Sequence, residues 1–168
     1  IWMSDVLIAV LDSGGTSIKS ALWRENALTG QRETATPIVS ARALLEQVFA
    51  LLDRMGPFDA IGVSTRGTVG QEGEILFDNV LSDYTGTPLR AMLEERYGVP
   101  AAVENDVNAA AFGEARLGAG RGAGDFLMVT YGTCVGGAIV LGGRVYRGAS
   151  SSAGEFGGMQ LFSQQPAE

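Results

Sequence analysis

The sequence has no histidine and only one cysteine, Cys134, among its 168 residues. Without imidazole, a Ser-His-Asp triad and an H-E-x-x-H metal site are both excluded within this chain. With one thiol, no intrachain disulfide can form. Proton transfer therefore falls to Asp, Glu, Lys, Tyr or Cys134. Basic residues are also scarce: 12 Lys and Arg stand against 19 Asp and Glu, a net charge of −7. That balance argues against a nucleic-acid surface and against polybasic membrane attachment. No apolar run reaches the ~18 residues of a membrane span, and the N-terminus lacks the layout of a signal peptide. A soluble, cytoplasmic protein is expected, with no nucleic-acid or membrane partner. Ile1 and Trp2 precede a plausible start at Met3.

Apolar residues and glycine are plentiful instead. A hydrophobic content of 46% supports a globular core, and the 24 glycines cluster at turns without a collagen-like period. The length suits one domain, or one domain and part of another.

Residues 6–23, VLIAVLDSGGTSIKSALW, carry the strongest local signal. Val6 to Leu11 is an apolar run of strand length, and a second strand follows the Asp12-Ser13-Gly14-Gly15-Thr16 turn. Two glycines let a turn present its N–H groups to an anion at close range. A carboxylate beside them can hold a hydrated Mg²⁺. The turn thus suits a nucleotide phosphate tail, although a plain hairpin connection accounts for the same residues. It is neither a Walker A loop nor a G-x-G-x-x-G fingerprint.

Beyond this hairpin, Gly30 and Thr36-Pro37 mark a loop, and apolar spacing predicts a helix from Ser40 to Met55, ended by Gly56-Pro57. Residues 60–64 form a short strand leading to the Thr65-Arg66-Gly67-Thr68 turn, and residues 70–77 a small hairpin. Asp78 to Leu81 is a loop. Thr87 and Pro88 open a helix as hydroxyl cap and first-turn proline, running to about Tyr97. A brief strand at 101–103 ends in Glu104-Asn105-Asp106, before an alanine-rich helix over 108–117. Strands at 125–131, 135–141 and 144–146 follow, then an irregular tail. VLDSGGTSIKSAL and VTYGTCVGGAIVL echo each other, each placing a glycine-hydroxyl turn between apolar strands. Two such lobes would clamp a nucleotide from both sides.

Asn105 and Asp106 sit where a strand meets a helix N-terminus, a frequent place for active-site groups in α/β sheets. Asn and Asp are equally the preferred helix caps. Gly132-Thr133 offers a second phosphate loop or a tight hairpin turn. Glu155 lies in a small-residue loop where a solvated carboxylate is the ordinary reading. Lys19, by alternation, faces solvent.

In combination and order, these pieces resemble the ROK family of sugar kinases over nearly all of residues 5–162. The matching blocks are LDSGGTSIKSALW, GVSTRGTV, the stretch from NVLSDYTGTPLR to ENDVNAAAFGEARLGAGRG, and YGTCVGGAIVLGGRVYRGASSSAGEFGGM. The resemblance implies an α/β, actin-like ATPase (ribonuclease H-like) fold, with a mixed five-stranded sheet flanked by helices. It implies an N-terminal lobe over residues 3–106 and the incomplete beginning of a second, similar lobe over 107–168, bearing the second phosphate hairpin and the sugar loop. Asp12, Gly14, Gly15 and Thr16 would hold the ATP phosphates, with Lys19 grouped beside them and Asp12 reaching Mg²⁺ through water. Gly132 and Thr133 would grip the phosphates from the second lobe. Asp106 would be the general base, with Asn105 and Glu155 on the sugar hydroxyls and Gly67 and Asn79 nearby. The expected reaction is ATP-dependent phosphorylation of a hexose or glucoside, at O6, by an enzyme that is a homodimer at full length. The chain itself is expected to be a fragment, inactive alone.

The departures from the family pattern are informative. Gly158 stands where many members have a zinc-ligating histidine, and no cysteine cluster follows, so no zinc site is expected; this suits the β-glucoside-kinase-like branch. Loss of that side chain could open the sugar pocket to a larger sugar. Arg66 replaces a usual proline, and Cys134 a usual glycine. The alternatives are a sugar-sensing regulator without catalysis and a degenerate kinase subunit. Only eleven residues precede Asp12, so the helix-turn-helix of the family's repressors is not expected.

Overall fold

Alternation along the first strand decides which way the first sheet faces. The computed structural model describes residues 6–132 and 134–159, and begins with β1 (Ile8–Ser13), whose Ala9, Leu11 and Ser13 are buried. Because successive side chains point to opposite faces, Val10 and Asp12 stand on the other side. β2 (Ser17–Arg24) returns antiparallel to β1, with Asp12 opposite Lys19. β3 (Ala27–Ala35) then pairs antiparallel with β2.

The sequence reading takes the region of β3 for a loop, and the structure corrects it to a nine-residue strand. Its sequence, ALTGQRETA, lacks the apolar alternation of a half-buried strand because the strand is nearly all exposed at the sheet edge. Backbone pairing with β2, rather than burial, holds it. A polar edge also resists pairing with other chains.

Helix α1 (Ala41–Asp53) starts at Ser40, whose hydroxyl accepts the Ala43 N–H. It buries Ala41, Leu44, Val48, Leu51 and Leu52 in one cluster with Ala9, Leu11 and Ile18. β4 (Ala60–Thr65) pairs parallel with β1. The short β5 (Thr68–Val69) and β6 (Ile75–Phe77) form a two-stranded ribbon. Helix α2 (Leu89–Tyr97) follows and closes on Gly98 in the left-handed region, φ 66°. Its start differs from the expectation. Pro88, not Thr87, is the cap residue, and no side chain caps it. Thr87 is instead buried, its carbonyl accepting the Ile75 N–H.

β7 (Ala101–Asn105) pairs parallel with β4, giving the order β3-β2-β1-β4-β7. The sheet is therefore mixed and five-stranded, as the fold class requires. Helix α3 (Asp106–Leu117) begins two residues earlier than apolar spacing suggests. The chain divides within α3 into two compact units, Ile1–Ala109 and Ala110–Glu168.

The second unit contains β8 (Phe126–Tyr131), β9 (Val135–Leu141) and β10 (Arg144–Val145) in the order β10-β9-β8, antiparallel throughout. This meander repeats the β3-β2-β1 arrangement of the first sheet. Ala138 and Val140 are fully buried, whereas Leu127, Val129 and Tyr131 stand along β8 largely exposed, Tyr131 at 92%.

Leu44 is 1% exposed at the centre of the first unit's core. Leu44→Ala should cost about 3 kcal/mol of stability, from lost transfer energy and the cavity left behind. Urea unfolding checks this, and a loss below about 1 kcal/mol would contradict the packing described.

Candidate active site

Three parallel strands end level with one another. Across β1, β4 and β7, Asp12 lies beside Ser64 and Ser64 beside Glu104; one residue on, Ser13, Thr65 and Asn105 form the last row. Groups just beyond the carboxyl ends of parallel strands commonly build ligand sites. Ser13 and Thr65 are buried, which puts Asp12 and Ser64 on the opposite face. There Ser64 Oγ donates to Asp12 Oδ1 at 2.9 Å. The rest of the Asp12 side chain is exposed and accessible to a cation.

The β1–β2 turn is braced from one side. Thr36 Oγ1 donates to the Gly14 carbonyl at 2.7 Å, its N–H to the Thr16 carbonyl at 3.0 Å, and the Gly14 N–H bonds to the Ser17 carbonyl. A Cβ at Gly14 would lie 3.2 Å from the Ser17 carbonyl oxygen, and at Gly15 nothing stands within 4 Å. Open space over a fixed backbone beside an exposed carboxylate fits a phosphate chain with a hydrated divalent cation. Lys19 is exposed on β2, and with Asp12 it lines a cavity of about 610 Å³ on the β1–β3 face. Asp106 and Asn105 do not line that cavity, so its size does not locate the chemistry.

Asn105 is the hinge of the arrangement. Its Oδ1 accepts the Val107 and Asn108 N–H groups at 3.0 and 3.1 Å, capping α3, while its Nδ2 donates to the Gly67 carbonyl at 3.0 Å. The capping role that rivals sugar binding in the sequence is thus present, and the side-chain amide also faces the Asp106 carboxylate. Glu104 Oε1 accepts from the Asn105 N–H and from Asn108 Nδ2. Asp106 is the first residue of α3, half-buried, its Oδ1 accepting the Val107 N–H at 2.9 Å. Burial raises the Asp106 pKa above the ordinary 3.8, the negative charge of Asp12 adds to the rise, and the hydrogen bonds from Val107 and Asn105 oppose it. A carboxylate so placed is a better proton acceptor than a free one.

Gly67 adopts φ +84°, and a Cβ there would come 2.5 Å from the Phe77 carbonyl oxygen. Only glycine lets the two loops approach this closely. Asn79 is exposed on the facing loop, between Asp78 and Val80, which are joined by a hydrogen bond from the Val80 N–H to Asp78 Oδ1. Arg66 and Asp78 form a buried ion pair at 2.9 Å. The Arg66–Asp78 and Ser64–Asp12 contacts are not legible in the sequence. The partner residues are 12 and 52 positions apart, so no local pattern shows them.

The second unit holds the remaining candidates. The Gly132 N–H bonds to the Cys134 carbonyl at 3.1 Å, forming the β8–β9 turn, and Cys134 is exposed. Thr133 lies outside the described residues. The Phe156 ring lies against Gly137 of β9, where a Cβ would collide with it. The loop bearing the exposed Glu155 is thereby fixed to the sheet. Around Gly158 nothing stands within 4 Å of the Cβ position.

The ROK family model matches residues 8–167. The chain belongs to the ROK family. Among curated ROK relatives it is 34% identical over 161 residues to the β-glucoside kinase of Listeria innocua, covering 95% of this chain and 54% of that protein. It is 31% identical over 155 residues to the glucokinase of Streptomyces coelicolor, covering 90% and 49%. The ROK glucokinase of Streptomyces griseus, solved with glucose and AMPPNP, superposes with a TM-score of 0.83 at 34% identity, covering 93% of this chain and 51% of that one. The chain thus spans about half the length of the relatives it matches. No helix among the described residues is long and apolar enough to cross a membrane.

The raised Asp106 pKa has a consequence for stability. A carboxyl whose folded pKa lies above its unfolded value favours folding most below the unfolded value, and loses that contribution as pH rises through the folded one. At neutral pH the buried charge is therefore a cost. Asp106→Asn should raise Tm at pH 7, with the gain shrinking toward zero as pH falls below 3.8. A mutant that melts lower than wild type at pH 7 would contradict this assignment.

Proposed function

We propose that the protein carrying this chain transfers the γ-phosphoryl group of ATP to a hydroxyl of a hexose or glucoside, at O6. The observation that carries this reading is the half-buried Asp106 at the helix start, its pKa raised by burial and by Asp12 at the end of the neighbouring parallel strands. Phosphoryl transfer needs mainly positioning and charge neutralisation. Asp106 accepts the proton of the attacking sugar hydroxyl. The hydroxyl oxygen forms its bond to the γ-phosphorus as the bond to the β-phosphate oxygen breaks and ADP leaves.

The turn residues Gly14, Gly15 and Thr16 hold the phosphate chain through their backbone, with Gly132 and Thr133 contributing from the second unit and Lys19 adding positive charge. Asp12 would hold a hydrated Mg²⁺, and the ion would neutralise phosphate charge. Asn105 and Glu155 take sugar hydroxyls, with Asn79 and Gly67 shaping the sugar side. The open space at Gly158 leaves room for a substituted sugar, in line with the similarity to a β-glucoside kinase. We place the enzyme in the cytoplasm, as a homodimer.

A sugar-sensing regulator would use Asn79, Asn105 and Glu155 but would have no need of a basic carboxylate beside Asp12. Asp106→Asn separates the two readings in the natural full-length protein. A general base contributes ~10²–10⁴-fold, so kcat should fall by at least about 100-fold while KM for ATP and sugar stays within a few-fold. Activity within threefold of wild type would remove Asp106 from the mechanism.

A further inference from the structure

Arg66 and Asp78 lie beneath the two loops that bear Gly67 and Asn79, and the ion pair between them is almost wholly removed from solvent. The Arg66 side chain is 11% exposed and that of Asp78 0%. Asp78 uses nearly all its hydrogen-bonding capacity. Oδ1 accepts the Val80 and Leu81 N–H groups at 2.8 and 2.6 Å, Oδ2 accepts Arg66 Nε at 2.9 Å, and the Asp78 N–H donates to Thr85 Oγ1 at 3.0 Å. Asn79 is thereby held between two anchored neighbours. Arg66 is held less completely, because its Nη2 is buried without a hydrogen-bond partner. A structural ion pair optimised for stability alone would satisfy that donor, as a bidentate carboxylate does.

The arginine also precedes Gly67, whose carbonyl oxygen receives Asn105 Nδ2. One covalent step therefore separates the Arg66 backbone from the anchor of the Asn105 side chain. The ion pair links the Asn79 turn to Asn105, which in turn caps the helix bearing Asp106. Thr65 and Tyr84 add a second tie between the same regions, their buried hydroxyls 3.3 Å apart.

We propose that Arg66 is a positioning residue for the sugar: its ion pair with Asp78 fixes Asn79 and Asn105 relative to each other and so sets sugar affinity and selectivity. This inference rests on the kinase reading above. Arg66 makes its hydrogen bond to Asp78 and none to the phosphate turn or Asp12, so its removal leaves the ATP side untouched. The side chain that stands in place of the family's proline is then a coupling between two sugar loops, and not a neutral replacement.

The test uses the natural full-length protein with Arg66→Met and Arg66→Lys. Arg66→Met keeps the buried stem and removes the charge and the Nε donor; Arg66→Lys keeps a charged donor without the planar guanidinium. The sugar KM should rise at least tenfold in Arg66→Met, with the ATP KM within twofold of wild type, and Arg66→Lys should fall between the two. A sugar KM within twofold of wild type in a folded Arg66→Met protein overturns the proposal. If Arg66→Met does not fold, Arg66→Lys decides by the same comparison: a sugar KM raised at least threefold with ATP KM unchanged supports it, and no change overturns it.

Should the wild type phosphorylate no sugar, the kinase reading fails on its own, and the coupling is judged by NMR. Faster hydrogen exchange of the Asn105 side-chain amide in the variant, by tenfold or more, supports it. Unchanged exchange rejects it.

Discussion

The in-register alignment of β1, β4 and β7 is the constraint from which the rest of the site follows. Parallel pairing with a fixed register brings Asp12, Ser64 and Glu104 into one row and Ser13, Thr65 and Asn105 into the next. A slip of one residue would invert every side chain on the slipped strand. Burial of Ala9, Leu11, Ile61 and Val63 forbids that slip, because each lies on the face that shares the core with α1. The apolar core thus fixes, to within a residue, where a carboxylate far more polar than itself emerges.

Two negative side chains near one another beside a helix start would ordinarily repel. Here the N-terminal end of α3 supplies backbone N–H groups to Asn105 and Asp106, and a helix N-terminus favours negative charge. Burial and Asp12 push the Asp106 pKa upward, while these donors limit the rise. The balance leaves Asp106 with a higher proton affinity than a free aspartate. Asn105 links this helix start to Gly67, so Asp106 and the Gly67 loop share one anchor.

Much of the first sheet is legible in the sequence because its inner strands alternate or run apolar, and α1 because its apolar residues recur at helical spacing. Asp12 and Asp106 were also visible, each at the end of an apolar strand beside residues of high turn or capping preference. β3 was not visible, since an exposed edge strand held by backbone bonds leaves no apolar period. The start of α3 is not legible, because Asn105 caps through its side chain and the helix begins within a stretch that composition alone presents as a polar strand end. The Arg66–Asp78 pair was invisible for a different reason. It joins two loops through tertiary contact, and nothing in either tetrapeptide announces the other.

On the proposed function, this fold places a proton acceptor where a sugar hydroxyl meets a phosphoryl donor. The most direct measurement is ³¹P NMR of the natural full-length protein with ATP, Mg²⁺ and, in turn, hexoses, N-acetylhexosamines and β-glucosides. A sugar kinase gives a phosphate-monoester resonance that grows at the expense of the ATP γ-signal, only when a suitable sugar is present. Sugar binding with no such resonance, or ATP loss to inorganic phosphate at the same rate with and without sugar, would contradict it.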